Sequence, residues 1–189
     1  YKMKAQKKQA VEMDMETMMA EYKRLAAPGA QHQMLARLEG SWITRTKGYS
    51  EPGKPPMEST GTCEQKMILG GHYLQQEYKG DMMGEMFTGI NVIGFDNHTK
   101  RYVSTWIDSM STAIYYFRGS ASADGRTITQ ESSYDDPVRG PTVWRSVTRI
   151  VDDNTLKYEM YLTSKGGKKE KMMEMTVARK RRVKSARAA

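Results

Sequence analysis

A carboxylate and a hydroxyl stand side by side at the end of one predicted strand. Asp108 and Ser109 follow Trp106 and close a run that begins at Arg101. A serine nucleophile needs a base within hydrogen-bond reach and a site that stabilises an oxyanion. The three histidines, at positions 32, 72 and 98, have no sequence spacing that joins them to Ser109. We therefore expect Asp108 either to anchor a ligand inside a cavity or to accept backbone N–H groups at the strand end.

A pair of glutamates is the other constellation that could carry acid–base chemistry. Glu77 and Glu159 each stand next to a tyrosine, Tyr78 and Tyr158, within predicted strands. Successive residues of a strand face opposite sides of the sheet. One member of each couple must then face outward, and the charged one is the usual choice. The sequence predicts no catalytic residue and favours a protein that is not an enzyme.

The sequence does not support a metal site or a cofactor site either. The single Cys63 excludes an internal disulfide and a cysteine cluster, and the histidines lack the spacing of a zinc site. Haem ligation through His72 or His98 is conceivable in a barrel, but no other feature of the sequence favours it. We predict no metal and no cofactor.

The net charge of +8 is concentrated at the ends of the chain. Residues 27–178 hold 18 basic and 18 acidic groups, whereas residues 1–26 hold six basic against four acidic. The C-terminal end is a basic run with no acidic residue. Such a tail is either a solvated end or a contact with phosphate, including nucleic acid, or with an acidic partner. The candidate contact residues are Arg179, Lys180, Arg181, Arg182 and Lys184.

Two helices are predicted before the strands begin. Apolar residues between 10 and 26 recur at intervals of three and four, which indicates one stripe of an amphipathic helix. Pro28 and Gly29 end it, and a second short helix is expected from Gln31 to Leu38. The stripe either packs on its own domain or offers a methionine-rich face to a partner. Its members are Val11, Met15, Met18, Tyr22 and Leu25.

From Trp42 onward, short alternating segments are separated by turns at regular intervals. This pattern predicts nine or ten antiparallel strands with no interposed helix. Such a meander has to hide its edges, and a closed up-and-down β-barrel does so. The inward positions combine large aromatic side chains with scattered polar ones, as in barrels that contain a cavity. They are Trp42, Thr44, Tyr102, Ser104, Trp106, Asp108, Tyr115, Trp144, Ser146 and Tyr158.

Several motifs, in order, resemble the bacterial family known as domain of unknown function 1579. They are Pro28-Gly29 to Trp42, the hairpin from Gly70-Gly71 to Glu77, Gly94-Phe95-Asp96, Trp106-Ile107-Asp108-Ser109 and Lys171 to Arg179. The resemblance implies a calycin-like (lipocalin-like) β-barrel and no established activity. Gly40-Ser41-Trp42 also resembles the lipocalin Gly-x-Trp signature. That likeness implies that Trp42 plugs the closed end and that Arg179 covers its ring.

We interpret the chain as an N-terminal helical extension (1–27), a barrel domain (28–179) and a basic tail (180–189). The barrel is expected to be a non-catalytic binding module for a small apolar or aromatic ligand. That ligand would pack on Trp106, Tyr115 and Trp144 and be oriented by Asp108 or Ser104. The alternative is an accessory subunit of a larger assembly, docked through the helix and the tail.

The sequence says little about where the protein resides. No apolar run approaches the length needed to span a bilayer, about 18 residues or more. This predicts a soluble protein and slightly favours the cytoplasm. The chain begins with Tyr1, which leaves a processed or secreted form open.

Overall fold

Ten antiparallel strands form one closed barrel in which every strand pairs with its neighbours in sequence and β1 pairs with β10. The structure, a computed structural model, describes residues 14–50, 53–82, 84–164 and 166–180. The nine or ten strands and the up-and-down order predicted from the sequence are confirmed. The strands are β1 Gly40–Gly48, β2 Met57–Ile68, β3 Tyr73–Met82, β4 Glu85–Asp96, β5 Arg101–Asp108, β6 Tyr115–Ala121, β7 Thr127–Asp136, β8 Gly140–Asp152, β9 Thr155–Ser164 and β10 Lys169–Arg179.

Two helices precede the barrel. In the first, α1 (Met15–Ala26), the Asp14 side chain caps the N-terminus and Lys23 and Arg24 lie in the last turn. These charges oppose the helix dipole at both ends and favour the helix. The second, α2 (Ala30–Ala36), follows directly after Gly29. None of the described helices is long and apolar enough to cross a membrane.

The second helix closes one end of the barrel, which we call the closed end. Leu35 of α2 is fully buried and Leu38 is almost so. They pack in the same core cluster as Leu74, Ile93 and Leu156 of the barrel wall. The apolar side of α2 is therefore what seals the closed end against water.

Trp42 lies at the centre of the closed end, as its resemblance to the lipocalin signature implied. It is fully buried, and its indole N–H donates to the Leu38 carbonyl at 2.9 Å. The Arg179 guanidinium stacks 4.2 Å from the centre of the indole ring. The same guanidinium donates to the backbone carbonyls of Arg37, Glu39 and Asp153. One arginine therefore ties together the end of β10, the segment after α2 and the β8–β9 turn.

The hairpin between β7 and β8 has a short turn. Asp135 pairs with Pro141 and Asp136 pairs with Gly140, so the ladder continues up to the turn. The Asp136 carboxylate accepts the N–H groups of Val138 and Arg139 and so makes the turn. Gly140 has φ 71°, a conformation that glycine adopts readily.

A β-bulge in β10 decides which side chains face the barrel interior. Counting back from the buried Val177 in steps of two would bring Lys171 inside. The register of β10 on β9 shifts between Lys171 and Met173, so Lys171 lies on the outer face and contacts Glu159 and Glu174. Met172 and Met173 both border the interior instead. In a regular strand the Lys171 ammonium would face the interior. Because of the bulge, the thioether side chains of Met172 and Met173 border it instead.

Glu159 is the centre of an ion-pair network on that outer face. It is bonded to Lys171 at 2.6 Å and to Arg149. These two hydrogen bonds lower the pKa of Glu159 from 4.5 to about 2. Because the folded-state pKa is the lower one, the stabilisation is present above pH 4.5 and is lost as the pH falls toward 2.

We expect Glu159→Gln to lower the free energy of unfolding by about 1–2 kcal/mol at pH 7, since two cations lose their partner. Urea unfolding at pH 7 and near pH 3 measures this. The difference between the two proteins should shrink at the lower pH. A difference that does not change with pH would show that the ionised carboxylate is not what stabilises this face.

Candidate functional site: a cavity inside the barrel

The barrel encloses a cavity of about 500 Å³ between the closed end and the opposite, open end. This volume falls within the range of about 300–1,000 Å³ that is usual for small-molecule sites. The floor is formed by Leu74, Ile93, Ile128, Leu156 and Val177. Six methionines contribute to the wall or the mouth: Met82, Met110, Met160, Met172, Met173 and Met175. Flexible thioether side chains can adapt to ligands of several shapes.

An aromatic cluster forms one wall of the cavity. The Trp106 ring stacks on Phe87 with 6.2 Å between ring centres and meets Tyr78 edge to face at 5.6 Å. The indole lies over Gly89, where an added Cβ would come within 2.4 Å of its Cη2 atom. Only glycine at position 89 leaves room for this ring position. The sequence placed Trp106 inside the barrel but gave Gly89 no structural role.

Asp108 is held at the mouth by two hydrogen bonds. Its Oδ2 atom accepts the Trp106 indole N–H at 2.7 Å, and its Oδ1 atom accepts the Met110 N–H at 2.9 Å. Asp108 thus accepts a backbone N–H at the strand end, as the second interpretation predicts. It also borders the cavity, where its role as a ligand anchor stays a prediction. In this arrangement the carboxylate orients the indole of Trp106.

A polar group on β5, β7 and β8 forms another part of the cavity wall. Ser104, Gln130, Trp144 and Ser146 all border the cavity. The Ser104 hydroxyl donates to Gln130 Oε1 at 3.2 Å. The Gln130 Nε2 and Trp144 Nε1 atoms are buried and have no hydrogen-bond partner among the described residues. Gln130 is not among the residues predicted to line the cavity, although its place between the inward-facing Ile128 and Ser132 indicates an inward position.

A second polar group forms a chain of hydrogen bonds within the wall. The Asn91 amide donates to Gln76 at 2.6 Å, and Gln76 donates to Gln65 at 3.0 Å. The Gln65 Nε2 atom is buried and has no hydrogen-bond partner among the described residues. Gln65 and Cys63 lie outside the cavity lining.

Tyr115 occupies a different place from the one predicted. It was expected to contact a ligand with Trp106 and Trp144, but it lies outside the cavity lining. Its ring packs against Tyr134 with 5.1 Å between ring centres. Tyr115 is the first residue of β6, at the rim of the open end, beyond the residues that line the cavity.

Two buried tyrosines border the cavity as neutral groups. Burial raises the pKa of Tyr78 and of Tyr158, so both remain neutral phenols. Burial also raises the pKa of the Cys63 thiol to about 12. Since a thiolate is the reactive form of cysteine, Cys63 is inert at neutral pH.

The side chains considered for catalysis, Ser109 and the three histidines, lie at opposite ends of the barrel. Ser109 accepts the Thr88 N–H through its hydroxyl at the open end. All three histidines belong to the closed end: His32 in α2, His72 before β3 and His98 in the β4–β5 turn. Burial, followed by the proximity of His72, lowers the pKa of His32, whose Nδ1 atom accepts the Gly29 N–H. Among the described residues, no cluster of three or more His, Cys, Asp or Glu side chains could hold a metal ion.

The two carboxylates proposed as a pair are both directed away from the interior. Glu77 is exposed on β3, where its neighbours Gln76 and Tyr78 border the cavity. Glu159 belongs to the ion-pair network on the outer face of β9. The two glutamates therefore do not meet inside the barrel.

The residues predicted to contact a partner are only partly described. Met15 and Tyr22 of α1 are 69% and 61% exposed, whereas Met18 is half-buried. Arg179 is used at the closed end, and the Lys180 N–H donates to the Ser41 carbonyl. Residues 1–13 of the predicted helical extension, and Arg181, Arg182 and Lys184 of the tail, lie outside the described residues.

Two solved structures share this fold. The crystal structure of Rv2717c from M. tuberculosis matches with a TM-score of 0.61 and 17% identity, over 82% of this chain and 100% of that one. The S-type phycobiliprotein lyase CPES from Guillardia theta matches with a TM-score of 0.56 and 13% identity, over 79% of this chain and 92% of that one. At these identities the likeness establishes the fold alone. No curated protein matches the sequence.

The sequence itself also matches a protein family. The family model described as "Protein of unknown function (DUF1579)" covers residues 27–179, which include α2 and all ten strands. This is the family that the motifs around Trp42 and Trp106 resemble. The chain therefore belongs to the DUF1579 family.

Proposed function

We propose that this protein is a non-catalytic binding module that holds a small apolar or aromatic ligand inside its barrel. The observation that carries the proposal is the cavity of about 500 Å³, bordered by Trp106, Trp144, Phe87 and the six methionines. Burial of apolar ligand surface against such a wall stabilises a complex by about 25 cal/mol per Å². The closed end keeps water from entering through the floor.

An uncharged aromatic probe tests this function. N-phenyl-1-naphthylamine, which fluoresces strongly in apolar surroundings, should bind with a 1:1 stoichiometry in a fluorescence titration. Ser146→Phe places a ring in the cavity from a buried position on β8 and should weaken binding at least about tenfold. Ser133→Phe is the matched control, because Ser133 is exposed on the outer face of β7. Equal binding by the two variants would contradict the proposal.

A second function, docking in a larger assembly, is favoured by the exposure of α1. None of its residues is buried, and Met15, Met19 and Tyr22 stand open to solvent. Within the described part of the chain, the hydrogen bonds from the barrel to this helix lie at its C-terminal end, where Asn97 donates to the carbonyls of Leu25 and Ala27. In this proposal the basic tail adds phosphate or acidic contacts. Co-purification that survives Tyr22→Ser and loss of residues 181–189 would argue against it.

A further inference from the structure

The three tryptophans differ in whether their indole N–H is bonded. Trp42 donates to the Leu38 carbonyl and Trp106 donates to Asp108. The Trp144 N–H is buried in the cavity wall without an acceptor among the described residues. A buried tryptophan usually has a partner for its N–H group. Trp144 is therefore an unpaired hydrogen-bond donor in the cavity wall.

Gln130 supplies a second donor beside it. The side chain is 6% exposed, and the bond from Ser104 to its Oε1 atom turns the amide so that Nε2 is left to donate. Gln130 pairs with Ser146 across the β7–β8 ladder, and Ser132 pairs with Trp144. Gln130 and Trp144 are thus diagonal neighbours on the inner face, a spacing of about 7–8 Å that long side chains can bridge. Both unpaired donors therefore belong to one patch of the cavity wall.

The charges around the cavity disfavour an anionic ligand. Asp81 and Asp108 both border the cavity, and the bulge in β10 has turned Lys171 to the outer face. Lys79 borders the cavity from an outward-facing position of β3, between Tyr78 and Gly80. A carboxylate buried here would meet donors but no cation, and an unpaired buried charge is strongly disfavoured.

We propose that the cavity takes an uncharged carbonyl compound with an aromatic or conjugated body. Its carbonyl oxygen accepts hydrogen bonds from Trp144 Nε1 and Gln130 Nε2. Its flat body lies between the aromatic wall of Trp106 and the methionines of β9 and β10. This inference rests on the proposed function and specifies the ligand class of the same site.

Three naphthalenes of similar shape test the ligand class. 2-Acetylnaphthalene carries a carbonyl, 2-isopropenylnaphthalene replaces it with a carbon isostere, and 2-naphthoate replaces it with a carboxylate. The ketone should bind at least about tenfold more tightly than the alkene, since the alkene leaves both donors unpaired. The naphthoate should bind more weakly than the ketone. If none of the three binds, the binding function itself fails. Equal binding of ketone and alkene, or tightest binding of naphthoate, would overturn the ligand class alone.

Two variants and one NMR signal of the wild-type protein test whether Trp144 and Gln130 are the donors. Trp144→Phe and Gln130→Leu should each remove most of the preference for ketone over alkene, measured as the ratio of the two dissociation constants within each variant. In a ¹H–¹⁵N spectrum of the wild-type protein, the ketone should move the Trp144 indole signal downfield and the alkene should not. The indole signals of Trp42 and Trp106, which already have acceptors, should not show that shift. A Trp144 signal that responds equally to both ligands would contradict the assigned donor, whether or not the variants fold.

Discussion

Replacing Trp42 with alanine should lower the free energy of unfolding by about 3–5 kcal/mol, the usual cost of emptying a large buried aromatic site. The side chain is fully buried and contributes to the core that includes Leu35 and Leu74. The substitution also removes the bond to the Leu38 carbonyl and the ring under Arg179. Urea unfolding followed by circular dichroism measures the loss.

Arg179→Lys separates the contribution of the Trp42 ring to stability from the contribution of the guanidinium that covers it. Lysine keeps the positive charge but cannot reproduce the guanidinium bonds to the carbonyls of Arg37, Glu39 and Asp153. We expect a loss of about 1–3 kcal/mol, smaller than that of Trp42→Ala. If Trp42→Ala costs under about 1 kcal/mol, the indole does not anchor the closed end as described here.

A single methyl group at position 89 should have the largest effect on ligand binding. In Gly89→Ala the new Cβ would lie 2.4 Å from Cη2 and 2.5 Å from Cζ2 of Trp106, so the indole must leave its place. Its bond to Asp108 is then lost and the aromatic wall is displaced. We expect the affinity for N-phenyl-1-naphthylamine to fall at least about tenfold and stability to fall by about 1–3 kcal/mol.

Gly80→Ala is the matched control for that experiment. Gly80 also borders the cavity, but a Cβ there would lie 3.4 Å from the Thr60 carbonyl oxygen, an ordinary contact. This variant should keep probe binding within about threefold of wild type. The fluorescence titration and the Trp106 indole signal in a ¹H–¹⁵N spectrum report both variants. An unmoved Trp106 signal in Gly89→Ala would contradict the packing at this wall.

The sequence predicted the barrel because its turns and its alternation repeat without interruption from Trp42 onward. The pairing of Trp42 with Arg179 followed from a resemblance, and the 4.2 Å stacking confirms it. The alternation of inward and outward residues predicted the inward positions of four cavity residues: Ser104, Trp106, Asp108 and Trp144. These features depend on local periodicity or on one residue pair, which a single sequence can display.

What the sequence could not predict depends on register and on neighbours across strands. The bulge at Met172 reverses the face of Lys171, and no local pattern marks it. The role of Gly89 becomes visible only with Trp106 lying over it. Tyr115 follows the alternation but packs against Tyr134 on the neighbouring strand. The Gln130 and Trp144 donors can be recognised as unpaired only when the positions of the surrounding side chains are known.

The most direct measurement of ligand binding in the barrel is a methyl spectrum of ¹³C-methionine protein titrated with N-phenyl-1-naphthylamine. The ring current of a bound probe should shift the methyl signals of the cavity residues Met160, Met173 and Met175. The signals of Met15 and Met19, exposed on α1, should not move. Shifts confined to the α1 methionines, or no shift at saturating probe, would contradict the account.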